Sequence, residues 1–303
     1  MAERAQSASG FHTLRRWVRA IADGLADELF ADGEPADLVL RFARILPLSV
    51  ICELLGLPQA DRPQFISWAN AMGRLTGPIS FFTMIGVVRK MRRYFEARLE
   101  QARASGGEGL ITELVRVESE QGRISGDEMV AMLFLLLVAG SETTTHLISG
   151  ATFELLQNAA LRSRLTSDWS GLGLAIEEFL RFISPVQFSK PRYVRRDLVV
   201  DGVSLKKGDR VMAMIVAANL DPAANDHSDR LDLARRPNRH LAFGTGIHFC
   251  LGHQLARIEA GCGLQALFTR WPRLQLAVKP SEVRWRRRPG LRSLEKLPVT
   301  AGV

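Results

Sequence analysis

The longest coherent pattern in the chain is an apolar run over 129–139. It is preceded by Ser125-Gly126-Asp127-Glu128, where a Ser and a Glu three residues apart can satisfy each other's open backbone donors at a helix start. A long buried helix over 129–158 is therefore predicted. Downstream, Leu251, Leu255, Ile258 and Cys262 recur at i, i+4, i+7 and i+11, one buried face of a second helix. A further helix is expected over 14–29. Between the long helix and the Leu251 helix the period shortens: Leu198-Val199-Val200 and Val203-Ser204-Leu205 flank Asp201-Gly202, the mark of a hairpin with a tight turn. Lys207-Gly208 is the next turn, and 211–216 is another strand candidate. The expected fold is mainly α with small β-sheets. The helical segments follow one another without a Pro/Gly/Ser-rich linker, a repeat or a low-complexity tract, so 1–303 is expected to form a single domain.

Three places break the apolar and polar periodicity. The long helix carries Ala139-Gly140-Ser141-Glu142-Thr143-Thr144 among its Leu, Phe and Val residues, and these polar groups cost desolvation energy unless a partner or water satisfies them. The alternative is that the apolar stripe ends at Gly140. Glu178 and Arg181 stand three apart, so on a helix they share a face and can pair; such a pair usually marks a solvated face. The third place is Phe243-Gly244-Thr245-Gly246-Ile247-His248-Phe249-Cys250-Leu251-Gly252. Here Cys250 caps a predicted helix, whose free N–H groups and dipole favour the deprotonated sulfur that binds metal. Gly244, Gly246 and Gly252 allow tight turns and close approach to a large flat ligand. The alternative is a structural Cys in a Gly-rich turn.

The pattern Phe-Gly-x-Gly-x-His-x-Cys-x-Gly at 243–252 resembles the cysteine loop of the cytochrome P-450 haem-thiolate monooxygenases, of the soluble bacterial type. The resemblance extends to Ala139-Gly140-x-Glu142-Thr143, similar to the family's helix over the oxygen-binding face, and to Glu178-x-x-Arg181. It continues in Asn219-Leu220-Asp221-Pro222, where Leu220 replaces an Arg and touches a helix cap rather than chemistry. It ends with Arg292-Ser293-Leu294-Glu295-Lys296-Leu297-Pro298-Val299, with Ser293 in place of Gly, while 50–58 resembles a short helix ending in Gly-x-Pro.

The resemblance implies a P-450-like fold holding haem b. Cys250 would be the metal ligand, with Phe243, Gly244, Gly252, Ala139 and Gly140 against the cofactor and Arg192 and His248 on its propionates. For Arg192 the alternative is an ordinary surface Arg. Glu142 and Thr143 would be catalytic, holding the water chain that delivers protons to bound dioxygen. Glu178, Arg181 and Arg230 would form a structural ion-pair cluster that ties the ligand loop to the core. Val138, Ala139, Gln187, Phe188 and Leu294 would line the substrate pocket. The implied reaction is hydroxylation or a related oxidation of an apolar small molecule by O2, with electrons coming indirectly from NAD(P)H through a ferredoxin or similar protein. Full-length members begin with helices and strands carrying a His-x-x-x-Arg that grips the propionates. This sequence shows none, 1–10 reading as a remainder of that segment, so a truncated chain without activity of its own is an alternative, as is a non-catalytic binding partner.

Composition narrows the rest. The formal charge of +8 does not point to nucleic acid, because the Arg residues are scattered and no nucleic-acid motif accompanies them. The densest basic run is 284–288; Arg257, beside the cysteine, is a candidate contact for an acidic electron donor. The run 129–140 falls short of the roughly 18 to 20 apolar residues of a membrane span, and 1–10 is polar, unlike a signal peptide. The expectation is a cytoplasmic protein without membrane contact. Cys52, Cys250 and Cys262 are odd in number, which suits a reducing compartment, and Cys52 and Cys262 read as inert core.

Overall fold

In the computed structural model, residues 8–73, 78–122, 124–286 and 290–302 are described; the expectations for 1–7 and for Arg287 and Arg288 lie outside them. Their elements are α1 (Ala8–Asp27), β1 (Ala36–Asp37), a π-helical turn (Val39–Ala43), α2 (Ile45–Leu55), α3 (Arg62–Gly73), α4 (Pro78–Ser105), α5 (Leu110–Gln121), α6 (Gly126–Gln157), α7 (Ala159–Ser167) and α8 (Leu172–Ile183). Then follow β2 (Arg192–Tyr193), β3 (Leu198–Val200), β4 (Val203–Leu205), β5 (Arg210–Val211), α9 (Ile215–Asn219), α10 (His253–Arg270), β6 (Gln275–Leu276) and β7 (Pro298–Thr300). The fold is mainly helical with small antiparallel sheets.

The predicted capping box starts α6: Ser125 Oγ accepts the Glu128 N–H at 3.3 Å while the Glu128 carboxylate accepts the Ser125 N–H at 2.8 Å. The helix then runs through the middle of the molecule against α2, α8 and α10. By length and composition α6 could cross a membrane, which the run 129–140 alone did not show, because the apolar stretch resumes beyond the polar turn. Helices packed along its length make it a core helix. One apolar cluster gathers α1, α8, α10 and β7 around Phe42, Phe179, Leu264 and Val299; a second gathers α2 to α5 and the start of α6 around Phe65, Met91, Phe95 and Leu133. Leu255 on α10 touches both.

The hairpin forms as predicted, with Val200 opposite Val203 and Asp201 and Gly202 at φ 51° and 81° in the turn. The strand expected over 211–216 does not. Only Arg210–Val211 pairs, with Arg192–Tyr193, and the chain turns helical at Ile215. Asn219 decides this: its buried amide donates to Ser184 Oγ at 2.8 Å and accepts the Leu241 N–H at 2.6 Å, drawing 215–219 inward as a helical turn. At the other end β7 pairs with both β1 and β6, so the closing Pro298-Val299 pattern becomes a central strand.

Candidate haem site

The ligand loop lies between α9 and α10 and is held mainly by its own backbone. Cys250 N–H donates to Phe243 O at 3.0 Å, Phe249 N–H to Gly246 O at 3.0 Å and Gly244 N–H to Leu241 O at 2.9 Å. Gly244 and Gly246 take φ values of 70° and 69°, the left-handed region that other residues enter at a cost. Gly252 does not share that need, with φ of −84°; it is the N-cap of α10. Cys250 therefore stands two residues before the cap, its carbonyl accepting the His253 N–H at 3.3 Å. Leu251, expected on the buried face, is 88% exposed, because the helix begins after it. Cys250 is partly accessible, whereas Cys52 and Cys262 are buried, and burial pushes the Cys52 thiol up to about 12 and the Cys262 thiol upward.

On α6 the polar turn is satisfied largely by the helix itself. Ser141, Thr143, Thr144 and Thr145 each donate to the carbonyl four residues back, at 2.7, 2.9, 3.2 and 2.8 Å. Such back-bonding removes the desolvation cost and bends helices. Glu142 is half-buried, with Oε1 3.9 Å from Nε2 of His146 one turn on. A Cβ at Gly140 would lie 3.2 Å from Ile51 Cδ1, so the small residue serves close packing against α2. One turn further along the same side of the helix, Thr144 stands beside Glu259 of α10, within reach of its carboxyl. Glu259 is 2% exposed, and burial pushes its carboxyl up to about 8, outweighing that contact. Ile148 and Gly263, four residues further along each helix, also touch. The two helices therefore run side by side in the same direction, and Cys250 and the start of α6 lie toward the same end of the pair.

Behind the loop two consecutive glutamates of α8 point to different partners. Glu178, fully buried, accepts from Arg181 Nε and Nη2, both at 2.8 Å, from Arg235 Nε and Asn238 Nδ2 at 3.0 Å, and from the Asp232 N–H at 2.9 Å. The arginine that completes this cluster is Arg235, not Arg230. A turn at Asp232, whose carbonyl accepts the Arg235 N–H at 3.0 Å, swings Arg235 inward, while the Arg230 side chain is exposed and only its carbonyl takes part, accepting from Arg181 and Arg235. Glu177 takes Arg257 Nε and Nη2 at 2.5 and 2.8 Å and faces His240 Nε2 at 3.0 Å. Burial works to raise the Glu177 carboxyl, but its bonds to Arg257 and His240 prevail and hold it near 2. Arg257 is thus committed inward, stacked 4.5 Å over the Phe243 ring, rather than offered to an electron donor. Sequence reasoning missed Arg235, Asn238, His240 and the role of Glu177. It also missed Glu259, whose place between Leu255 and Cys262 on a buried face was a readable signal.

The remaining predicted residues divide. Arg192 and His248 are exposed, Arg192 on β2 and His248 beside the loop tip. Gln187 and Phe188 lie where three segments meet: Gln187 N–H donates to Gly290 O at 2.9 Å, and Phe188 bridges to Met214. Val138 is half-buried on α6. Leu294 is buried in the main core and belongs to no open surface. A cavity of about 600 Å³ lies elsewhere, among Trp17, Glu53, Leu57 and Glu108, none of them a predicted site residue.

These residues fit a haem group. Around the cysteine, no atom lies within 4 Å of a Cβ added at Gly246 or Gly252, and only His248 O, at 3.9 Å, near one at Gly244. Beside this open space Ile247 is 97% and Phe249 49% exposed. Met132, Leu135 and Ala139 form an uncovered apolar stripe on α6, at the cysteine's end of the helix pair. A soft sulfur donor, bare apolar surface and two exposed basic groups match an iron atom, a flat apolar ring and ring carboxylates.

Comparison with known proteins agrees. Residues 172–280 match the family model "Cytochrome P450". The chain is 39% identical over 287 residues to the polyketide biosynthesis cytochrome P450 PksS of Bacillus subtilis, covering 95% of this chain and 70% of that one. It is 40% identical over 286 residues to the vitamin D(3) 25-hydroxylase of Pseudonocardia autotrophica, covering 94% and 70%. The solved structure of PksS superposes with a TM-score of 0.91 over 99% of this chain and 77% of that one, at 37% identity. The myxobacterial cytochrome P450 CYP267B1, in complex with myristic acid, gives 0.90 over 98% and 73%, at 39% identity. With the cysteine loop, the acid and alcohol of α6 and the Glu178 cluster on the same frame, the chain belongs to the cytochrome P450 family of haem-thiolate monooxygenases.

Proposed function

We propose that Cys250 would hold the iron of haem b through its thiolate and that the protein hydroxylates, or otherwise oxidises, an apolar small molecule. The observation that carries this reading is the accessible cysteine on a loop with open space over its glycines and bare apolar side chains beside it. When bound, haem supplies the activation of O2, and a thiolate donor favours cleavage of the O–O bond. The chain's own residues do the rest. Arg192 and His248 would pair with the haem carboxylates, and Phe243, Gly244, Gly252 and Ala139 would bound the ring. Glu142 and Thr143 move protons: the Thr143 hydroxyl, now donating to Ala139 O, is free to rotate toward a bound group, and the half-buried Glu142 carboxylate lies one residue away.

Val138, Ala139, Gln187 and Phe188 line the substrate side, where an apolar surface with few polar anchors suits an apolar ligand. The vitamin D(3) and myristic acid named for two relatives are of that kind. Electrons originate with NAD(P)H and arrive through a ferredoxin or similar protein. Three unpaired cysteines support a cytoplasmic setting. The test is the ferrous carbonyl spectrum of the haem-loaded chain. Wild type is expected to show the red-shifted Soret band of a thiolate ligand and Cys250→Ala to lose it; a mutant that keeps the band refutes the assignment.

A further inference from the structure

Among the described residues the tip of the cysteine loop packs chiefly through Phe249, whose ring meets those of His253 at 4.9 Å and Phe243 at 6.4 Å, both at the loop's base. Ile247 and Leu251 project from it, and its internal hydrogen bonds join loop residues only to one another. Its position must therefore be set at the neck, where the chain enters at 240–243 and leaves at 253–257. Both strands of that neck converge on one carboxylate. His240 on the entering side and Arg257 on the leaving side bond Glu177 directly, at 3.0 Å and at 2.5 and 2.8 Å. Arg257 then spreads the grip: its Nη1 donates to His253 Nδ1 at 2.8 Å and to His253 O at 3.1 Å, and its guanidinium lies on the Phe243 ring. Phe243 in turn accepts the Cys250 N–H through its carbonyl.

We propose that Glu177 is a positioning residue for the thiolate, a staple that closes the neck of the ligand loop and keeps Cys250 in the geometry in which it stays bound as thiolate. This rests on Cys250 being the iron ligand. It differs from the role of Glu178, which holds 232–238 to the core and touches neither strand of the neck. The forked, charge-assisted contact of Glu177 with Arg257 fixes direction as well as distance, which a single bond does not. An open neck lets the loop drift, so Cys250 would be held less firmly where it would meet the haem iron.

The experiment uses the haem-loaded full chain as wild type, Glu177→Gln, His240→Gln and Arg257→Lys. Glu118→Gln, which loses the pair with Arg103 between α4 and α5, away from the loop, is the control. The ferrous carbonyl complex is followed as its thiolate-type band gives way to the thiol-type band, with Tm and reduction potential measured on the same samples. In Glu177→Gln the conversion is expected to run about ten-fold faster, the factor for losing one charge-assisted bond, with the potential shifted upward as the sulfur donates less. Arg257→Lys, which keeps the charge but not the fork, falls between. If Glu177→Gln is too unstable to load, His240→Gln and Arg257→Lys open one side of the neck each and carry the comparison. A lower Tm with conversion rate and potential unchanged from the Glu118→Gln control overturns the proposal, since that is the signature of a role in stability alone. Failure of the Cys250 reading is distinct: the wild type itself would lack the thiolate band, or Cys250→Ala would retain it.

Discussion

Glu259 makes folding of this protein pH-dependent in a direction opposite to that of most carboxylates. It sits fully enclosed between α10 and α6 with the Thr144 hydroxyl as its partner, and burial holds its proton on until about pH 8, against 4.5 for an ordinary glutamate. In the unfolded chain it ionises near its ordinary value. Between these limits the folded state binds one proton more than the unfolded state, so the free energy of unfolding falls as pH rises. The slope is about 1.36 kcal/mol per pH unit for one proton. Stability from this group is complete below about pH 4.5, is lost progressively above it, and levels off beyond about pH 8, a total on the order of 5 kcal/mol. Glu259→Gln removes the titration while keeping the side chain's shape and a donor for the Thr144 hydroxyl. Urea unfolding of both proteins at pH 5, 6, 7 and 8 checks this. The mutant's offset at any one pH includes the cost of seating an amide, so the difference in slope is the measure. The mutant is expected to gain about 1 kcal/mol on the wild type for each pH unit raised. A constant difference from pH 5 to pH 8 would show that Glu259 is already ionised when buried and refute the reasoning.

Two further outcomes follow from packing and pairing. Arg235→Ala breaks a buried, forked cluster and is expected to cost about 3 to 5 kcal/mol in urea unfolding, whereas Arg230→Ala, at an exposed side chain, stays within about 0.5 kcal/mol; equal effects would reverse the assignment of the cluster's second arginine. Gly140→Ala gains helix propensity but sets a Cβ 3.2 Å from Ile51 Cδ1, so it should be better tolerated in an Ile51→Val background, with a coupling of about 0.5 kcal/mol or more in a double-mutant cycle. Strict additivity would mean that Gly140 does not owe its small size to α2.

What could be read from the sequence was what is settled within a few residues. The capping box at Ser125 and Glu128 and the hairpin turn at Asp201-Gly202 act over short separations, and both took the expected form. The strand over 211–216 was misread because Asn219 finds partners at 184 and 241, far outside any local window. The packing neighbour of Gly140 was unreadable for a similar reason. The glycine's motif fits a cofactor contact, but the atom that needs the space belongs to Ile51, on a helix whose placement no local pattern encodes.

The two glutamates of α8 show where local reasoning stops and tertiary structure begins. Successive residues on a helix point about 100° apart, so Glu177 and Glu178 cannot serve the same partners. Glu178 turns into the core, where every lone pair must be met; Arg181, Arg235, Asn238 and the Asp232 N–H converge on it because an unpaired carboxylate there would cost several kcal/mol. Glu177, half-buried, turns toward the loop and is met by residues 63 and 80 positions away. A Glu-x-x-Arg pattern discloses the first of these and is silent on the second. The direction of a side chain on α8 thus separates what holds the core together from what aims the cysteine, and one turn of helix supplies both.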